Sequence, residues 1–429
     1  MLPFPWVKFP YFEIDFYLGE LMRKVKIGVI GHGCRGYGLM DTMLLTDMYE
    51  FIVICDKYED RVQDGIKQVY DKLGYEPKGT TNYREVLEDP EVEAVLISCN
   101  WELHIPFAIE AMNAGKAIAL EVGGAYTVES CFELVEAWER TRVPFMFLEN
   151  CCYNKDELLA TAMAKNGMLG RIVYCSGSYA HDLRREVVEG KEKRHYRLEN
   201  YLHRNCENYP THELGPIAKI LGINRGNRMV SLVSVASGSF GMQDYVNKRV
   251  EKGEYVNPDL IGADFAQGDV VNTIITCENG EQILLRLDTS LPRSYSREFI
   301  VHGTNGIYEQ AYNSVFIEGD NEYWDPYDYA QKNLCNADKH KELLPDFWRN
   351  ITKEQIDAGH GGMDFFELVD FATRLVENKP MPIDVYDAAA WMVITPLSER
   401  SIKENGMPQQ IPDFTKGAYK TRPRFDVTD

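Results

Sequence analysis

The sequence predicts an α/β protein. Its N-terminal part reads as a doubly wound parallel sheet, and its C-terminal part as an α+β unit with a mostly antiparallel open sheet. Three observations predict this. Short β-branched runs alternate with helical stretches over residues 23–150, as strands joined by crossover helices do. A glycine-rich G-x-G-x-x-G turn follows the first of those runs. Beyond residue 150 the strand-like runs lengthen and Asn-Gly turns separate some of them, the pattern of antiparallel hairpins.

Length and composition set the frame. The chain has 429 residues, 45% hydrophobic and 26% charged, the balance of a soluble globular protein too long for one simple core. Lys and Arg total 46 against 66 Asp and Glu, a formal charge of −20. So acidic a surface repels phosphate backbones and anionic lipid, which excludes non-specific nucleic-acid and membrane-surface binding. Aromatic residues make up 12% of the chain, with 25 Tyr, side chains that both stack and hydrogen-bond and so suit sugars. The ten Cys form no C-x-x-C pair, and several sit in apolar runs, so reduced buried thiols are expected rather than a disulfide framework.

The elements follow in order. Residues 1–22 are rich in aromatics but broken by Pro, Glu13 and Asp15 where an export signal needs its apolar stretch. They read as an N-terminal arm or as the product of an upstream start, with Met22 a conventional beginning. Residues 25–30 form the first strand, ending in Gly31-His32-Gly33-Cys34-Arg35-Gly36, and a helix runs on to about Met48. Residues 51–55 form a second buried strand ending at Asp56. Residues 94–99 are a strand, 106–114 a helix opened by Pro106 and closed by Gly115, and 117–120 a strand. Residues 23–150 are thus one domain.

Residues 151–383 read as a second, α+β domain, with strands at 172–179, 231–237, 269–277 and 282–288. Glu278-Asn279-Gly280-Glu281 forms a hairpin turn, and Asn305-Gly306 lies between strand-like runs. Residues 384–429 return to helical periodicity and end in a tail.

The glycine turn carries a mechanism. Gly31 permits the tight bend, Gly33 lets backbone approach a pyrophosphate, and Gly36 lets helix and strand pack closely. The helix N-terminus offers N–H donors to the phosphates. Asp56, 20 positions beyond Gly36, is placed to accept hydrogen bonds from ribose hydroxyls, and its charge repels a 2′-phosphate. The expected cofactor is NAD. His181, His195, His203 and His212 show no H-E-x-x-H or Cys/His ligand spacing, so no metal is expected.

From these residues onward the chain resembles the Gfo/Idh/MocA oxidoreductase superfamily, and within it glycoside hydrolase family 109, the NAD-dependent α-N-acetylgalactosaminidases. The similar blocks are Trp101-Glu102-Leu103-His104, Glu121-Val122-Gly123, Tyr179-x-His181-Asp182-Leu183-Arg184 and Tyr209-Pro210-Thr211-His212-x-Leu214-Gly215-Pro216. Asp288-Thr289-Ser290, Pro292-Arg293-x-Tyr295-Ser296-Arg297 and His360-Gly361-Gly362-Met363-Asp364 extend the match.

The resemblance implies cofactor contacts at Cys34, Arg35, Asp56, Trp101, Glu102, Leu103, His104, Glu121, Val122 and Asn150, beside the turn glycines Gly31, Gly33 and Gly36. It implies sugar contacts at Tyr179, Arg197, Tyr209, Pro210, Thr211, His212 and Tyr295. Leu103 departs from the family, which often has a second Trp there. The export signal of many members is missing, which points to the cytoplasm. A homo-oligomer is also in keeping with the superfamily.

Superfamily sugar dehydrogenases usually carry a Lys after this Glu, helping proton transfer at the oxidised hydroxyl. Here that place is Val122, which argues against a simple dehydrogenase. The family implies hydrolysis through C3 oxidation, elimination across C1–C2, water addition and re-reduction, without the usual pair of flanking carboxylates. His212, ahead of a helix expected over 214–221, is the first candidate for acid/base work and Tyr179 the second. The alternative is an NAD-dependent sugar or inositol dehydrogenase.

Overall fold

The computed structural model describes residues 23–320 and 333–429; the arm read at residues 1–22 lies outside them. Six parallel strands build the first sheet: β1 (Val25–Ile30), β2 (Tyr49–Cys55), β3 (Lys78–Thr80), β4 (Ala94–Ile97), β5 (Ala117–Glu121) and β6 (Phe145–Leu148). Their order is β3-β2-β1-β4-β5-β6, the doubly wound arrangement expected. Between them run α1 (Cys34–Thr46), α2 (Glu59–Leu73), α3 (Tyr83–Glu88), α4 (Trp101–Asn113) and α5 (Val128–Thr141). Strands with helices on both faces have no wet side. Accordingly β4, β5 and β6 are buried at every position.

One helix starts earlier than its sequence indicates. Pro106 reads as an opening residue, yet α4 begins at Trp101 and carries Pro106 inside it. The extended residue Asn100 (φ −70°, ψ 146°) sets the start instead. The helix continues through the proline at the loss of the bond its N–H would have made.

The second sheet has eight strands: β7 (Ile172–Ala180), β8 (Met229–Ala236), β9 (Val270–Cys277), β10 (Gln282–Asp288), β11 (Ile300–Gly303), β12 (Gly306–Glu309), β13 (Ser314–Ile317) and β14 (Gln409–Gln410). Their order is β13-β12-β11-β7-β10-β9-β8-β14, antiparallel except for the β7–β10 pair. Residues 278–281 join β9 to β10 as expected, and the β11–β12 turn falls at residues 304–305, with Gly306 already the first residue of β12. Helices α6 (Lys155–Lys165), α7 (Arg184–Val188), α8 (Arg197–His203), α9 (Thr211–Leu221) and α10 (Gly241–Glu251) complete this half. α9 is buried along its whole length and ends at Gly222 in the left-handed conformation (φ 63°).

The C-terminal part ties the two sheets together. Helix Met363–Val376 packs on α1, and Tyr49 Oη donates to the Leu368 carbonyl at 2.5 Å. Helix Val385–Met392 lies against α5, helix Ile394–Lys403 lies against β8, and β14 pairs with β8. All ten cysteines are unpaired. Among the described residues no helix is long and apolar enough to cross a membrane.

Candidate active site

A cleft of about 1440 Å³ opens at the carboxyl ends of the first sheet's strands, where ligands of such sheets bind. Its other wall is built from β7, α8 and α9. Gly31, Gly33, Cys34, Arg35, Asp56, Trp101, Leu103, His104, Glu121, Asn150, Tyr179, Arg197, Tyr209 and His212 all line it. Residues chosen from scattered positions of the sequence are thus brought to one surface.

The remaining candidates stand back from that surface. Gly36 faces the Gly31 carbonyl beneath the turn, and Val122 and Thr211 are buried. Glu102 is exposed on the first turn of α4, and Pro210 is the residue preceding α9. Tyr295 is half exposed outside the cleft. Its ring meets the edge of His181, a lining residue, at 5.3 Å.

The glycine turn fits a dinucleotide on steric grounds. Gly31 has φ +100°, and a methyl group there would press on the Cys99 backbone nitrogen at 2.7 Å. A methyl on Gly36 would sit 2.1 Å from the Gly31 carbonyl oxygen. A methyl on Gly33 would meet only the Arg61 guanidinium, at 3.5 Å, so Gly33 leaves its side of the turn open to a ligand. Gly33 caps α1 and itself brings no side chain to the anion-binding end of that helix. Asp56 accepts N–H bonds from His32 (2.8 Å) and Tyr58 (3.0 Å), which fix its carboxylate at the end of β2. Buried Glu121 Oε2 and Asn150 Oδ1 have no protein partner and lie farther along the same wall.

Arg35 is more committed than its place in the turn implies. Its Nε lies 3.1 Å from Glu121 Oε1, and its Nη1 donates to Asp364 Oδ2 at 2.5 Å. Asp364 also accepts from Asn150 Nδ2 at 2.7 Å and meets His360 Nδ1 at 2.9 Å. Burial opposes ionisation of Asp364, but the Arg35 charge and the His360 hydrogen bond outweigh it and hold the carboxyl well below its usual range. Glu121 goes the other way: burial raises it, and Arg35 only partly offsets that. Burial pushes His104 down to about 4, so its ring is neutral at pH 7.

On the opposite wall the first turn of α9 carries the acid/base candidate. The helix begins at Thr211, ahead of the expected start, so His212 is within the turn. His212 Nδ1 is 2.8 Å from Glu149 Oε1, and its Nε2 is 3.3 Å from the Tyr209 hydroxyl. Burial would raise Glu149, yet the facing imidazole and its hydrogen bond draw the carboxyl below its ordinary value. An ionised carboxylate only accepts, so Nδ1 donates to it, and Nε2 is turned to the Tyr209 hydroxyl.

Aromatic rings surround this pair. Trp101 stacks on Tyr209 at 5.2 Å, and Tyr179 lies 4.6 Å from Tyr209. The Arg197 guanidinium sits over Trp101 at 4.9 Å and Tyr209 at 5.1 Å, with its Nε 2.7 Å from Glu186 Oε1. Burial raises the Tyr179 and Tyr209 phenols, so both stay protonated and able to donate near neutral pH.

Glu149 was not among the residues chosen from sequence. The signal that could have found it is its position directly after β6, at the carboxyl end of a strand. Glu149, Cys151 and His212 place one donor atom each within 4.8 Å of one another. Glu149 Oε1 already meets His212 Nδ1 and accepts from the Cys151 backbone N–H at 3.0 Å, Cys151 Sγ accepts from Arg297 Nη1 at 3.5 Å, and burial keeps the Cys151 thiol protonated.

Both halves of the chain are similar to known proteins. Residues 25–148 match the oxidoreductase family with an NAD-binding Rossmann fold, and residues 153–421 match the C-terminal domain of glycosyl hydrolase 109. The chain is 35% identical to a glycosyl hydrolase family 109 protein of Stenotrophomonas maltophilia (strain K279a), covering 93% of this chain and 91% of the relative. It is 34% identical to an alpha-N-acetylgalactosaminidase of Tannerella forsythia, covering 94% and 88%. Levoglucosan dehydrogenase in complex with NADH and levoglucosan superposes with a TM-score of 0.65 at 18% identity, covering 91% of this chain and 100% of that one. Myo-inositol 2-dehydrogenase from Lactobacillus plantarum does so at 0.62 and 15%, with coverage of 91% and 100%. At such identities these two show the fold alone. The chain is an enzyme with an NAD-binding Rossmann fold, and it belongs to glycosyl hydrolase family 109.

Proposed function

We propose that this enzyme hydrolyses α-N-acetylgalactosaminides or related glycosides, with NAD recycled within each turnover. The observation that carries the reading is the Glu149–His212 pair, set across the cleft from the glycine turn. It supplies a base on the cleft wall, whereas position 122, beside Glu121, offers only a buried valine. Held along Gly31, Gly33 and Asp56, NAD would supply a hydride acceptor for C3 of the sugar and the source of its return.

The chain's own residues do the rest. The C3 ketone acidifies the C2 proton, and His212 Nε2 removes it while Glu149 stabilises the imidazolium through Nδ1. The aglycone leaves from C1 with a proton from water, a water molecule adds there and gives a proton back to solvent, and His212, its N–H exchanged with solvent, returns a proton to C2. Proton transfer by a positioned group is worth about 10²–10⁴-fold. Tyr179, protonated and buried, donates to the C3 oxygen, whose own proton passes to water on oxidation and comes back on re-reduction. Arg197 holds a hydroxyl or the N-acetyl carbonyl, and the Tyr209 and Trp101 rings give the sugar an apolar face to lie on. No carboxylates need flank the glycosidic bond, unlike the usual two-acid scheme.

The test is incubation with a panel of aryl glycosides in D₂O, including the α-N-acetylgalactosaminide, with products read by NMR. Aglycone release with deuterium at C2 and no accumulation of NADH is the expected result. NADH accumulating with a keto-sugar and no released aglycone would overturn it in favour of a sugar or inositol dehydrogenase.

A further inference from the structure

A loop from the second sheet's half crosses onto the first beside Asp56. Residues 189–196 follow α7 and turn back on themselves, with His195 N–H donating to the Gly190 carbonyl at 2.6 Å and Arg194 in the left-handed region (φ 54°). Glu189 holds the base of the loop, accepting from Arg249 Nη1 at 2.9 Å and pairing with Lys193 Nζ at 2.7 Å. The tip reaches α2. Arg194 makes a two-pronged contact with Asp60, Nη1 to Oδ1 at 2.9 Å and Nη2 to Oδ2 at 2.6 Å, and its guanidinium lies 4.3 Å over the Tyr58 ring. Arg61 donates to the Lys193 carbonyl at 3.1 Å and stands 3.9 Å from Asp56 Oδ2. Lys193 and Arg194 line the same cleft as Gly33 and Asp56.

We propose that residues 190–195 form a latch over the ribose end of the cofactor site, closed by Arg194 on Asp60 and Tyr58, which slows the release of NAD. The proposal deepens the reading above: a hydrolase that returns its hydride has no need to release the cofactor, whereas a dehydrogenase must release it at every turnover. The latch joins the two halves of the cleft at the end where Asp56 stands, and the glycine turn lies on the other side of Arg61. Single exposed ion pairs contribute little. Here a bidentate pair, a guanidinium–ring contact and a backbone hydrogen bond converge on one tip, and they must open together for the loop to lift.

The experiment is stopped-flow displacement of NADH by excess NAD⁺, followed by NADH fluorescence, for the full chain and its Arg194→Ala, Asp60→Ala, Arg194→Lys and doubly substituted forms. Both alanine variants should release NADH about 3- to 10-fold faster than the parent. The double variant should be no faster than Arg194→Ala, because both substitutions open one contact, and Arg194→Lys should fall between. Release within about twofold of the parent, or a rise in Arg194→Ala that Asp60→Ala does not share, overturns the latch. Melting curves of the NAD-free proteins check folding, and Asp60→Asn replaces any alanine variant that melts early. No glycoside is present, so failure to hydrolyse leaves this result standing. A chain that still releases aglycone with unchanged NADH kinetics overturns the latch alone.

Discussion

Glu149 Oε1 lies 2.8 Å from His212 Nδ1, a contact spanning 63 positions of sequence that joins the end of β6 to the first turn of α9. Glu149 is fully buried and His212 nearly so. The carboxylate therefore fixes the orientation of the ring, and the nitrogen that carries its N–H, from behind the cleft wall.

Replacing that carboxylate by an amide tests its positioning role. Glu149→Gln keeps the shape but can donate to Nδ1, which turns the imidazole to the tautomer with its proton on Nε2. We expect kcat to fall about 10²–10⁴-fold with little change in KM and in NADH affinity. Glu149→Asp should recover part of the loss. A parallel loss of NADH binding would instead mean that the substitution disturbs the fold of the cleft.

Two glycines of the same turn should part company when changed to alanine. At Gly36 the new methyl would lie 2.1 Å from the Gly31 carbonyl oxygen, so α1 has to move off β1 and the melting temperature should fall. At Gly33 the φ of −77° suits alanine, and the nearest atom is the flexible Arg61 guanidinium at 3.5 Å. Gly33→Ala should stay within about 0.5 kcal/mol of the parent in stability, yet bind NADH at least tenfold more weakly, about 1.4 kcal/mol. Calorimetry with NADH beside urea unfolding separates the two effects.

What the sequence made legible was local. The glycine spacing, the Asp at the end of β2 and the alternation of strands with helices are all encoded within short windows, and they define the Rossmann half. His212 stands out only through the family resemblance that its Tyr-Pro-Thr-His block carries. Its partner Glu149 was hidden because a buried acid next to Asn150 has no periodic signature; only packing brings it to α9. Asp364 sits 329 positions from Arg35, and nothing in the spacing of either residue tells of their contact. The start of α4 was misread for a related reason. Proline is favoured at an opening turn, and here tertiary packing of Trp101 against Tyr209 carries the helix back past it.

The Arg35–Asp364 contact should be costly to break. Asp364 is 1% exposed and meets Arg35, Asn150 and His360 together, so Asp364→Ala leaves the Arg35 guanidinium with Glu121 alone and the Asn150 amide without its acceptor. Destabilisation of about 3–5 kcal/mol is expected, read from denaturant midpoints. The pH dependence has a definite sign. Because the folded carboxyl is held well below its ordinary 3.8, its contribution is present above that value and lost as pH falls further. Asp364→Asn should therefore lose less stability than the parent between pH 5 and pH 3.

Glu207 predicts the opposite slope. It is fully buried just ahead of the Tyr209–His212 block, its Oε1 accepts only a long bond from Tyr209 N–H at 3.4 Å, and its Oε2 has no partner. Burial raises the carboxyl from 4.5 to about 8. The folded chain thus keeps a proton that the unfolded chain gives up. The stabilising contribution is complete below pH 4.5 and drains away as pH climbs towards 8. Glu207→Gln removes this slope while preserving volume and the acceptor oxygen. The variant should match the parent near pH 5 and exceed it at pH 8, the gap widening by about 1–3 kcal/mol. Urea unfolding at the two pH values measures it, and an equal difference at both would show that Glu207 is ionised in the folded protein.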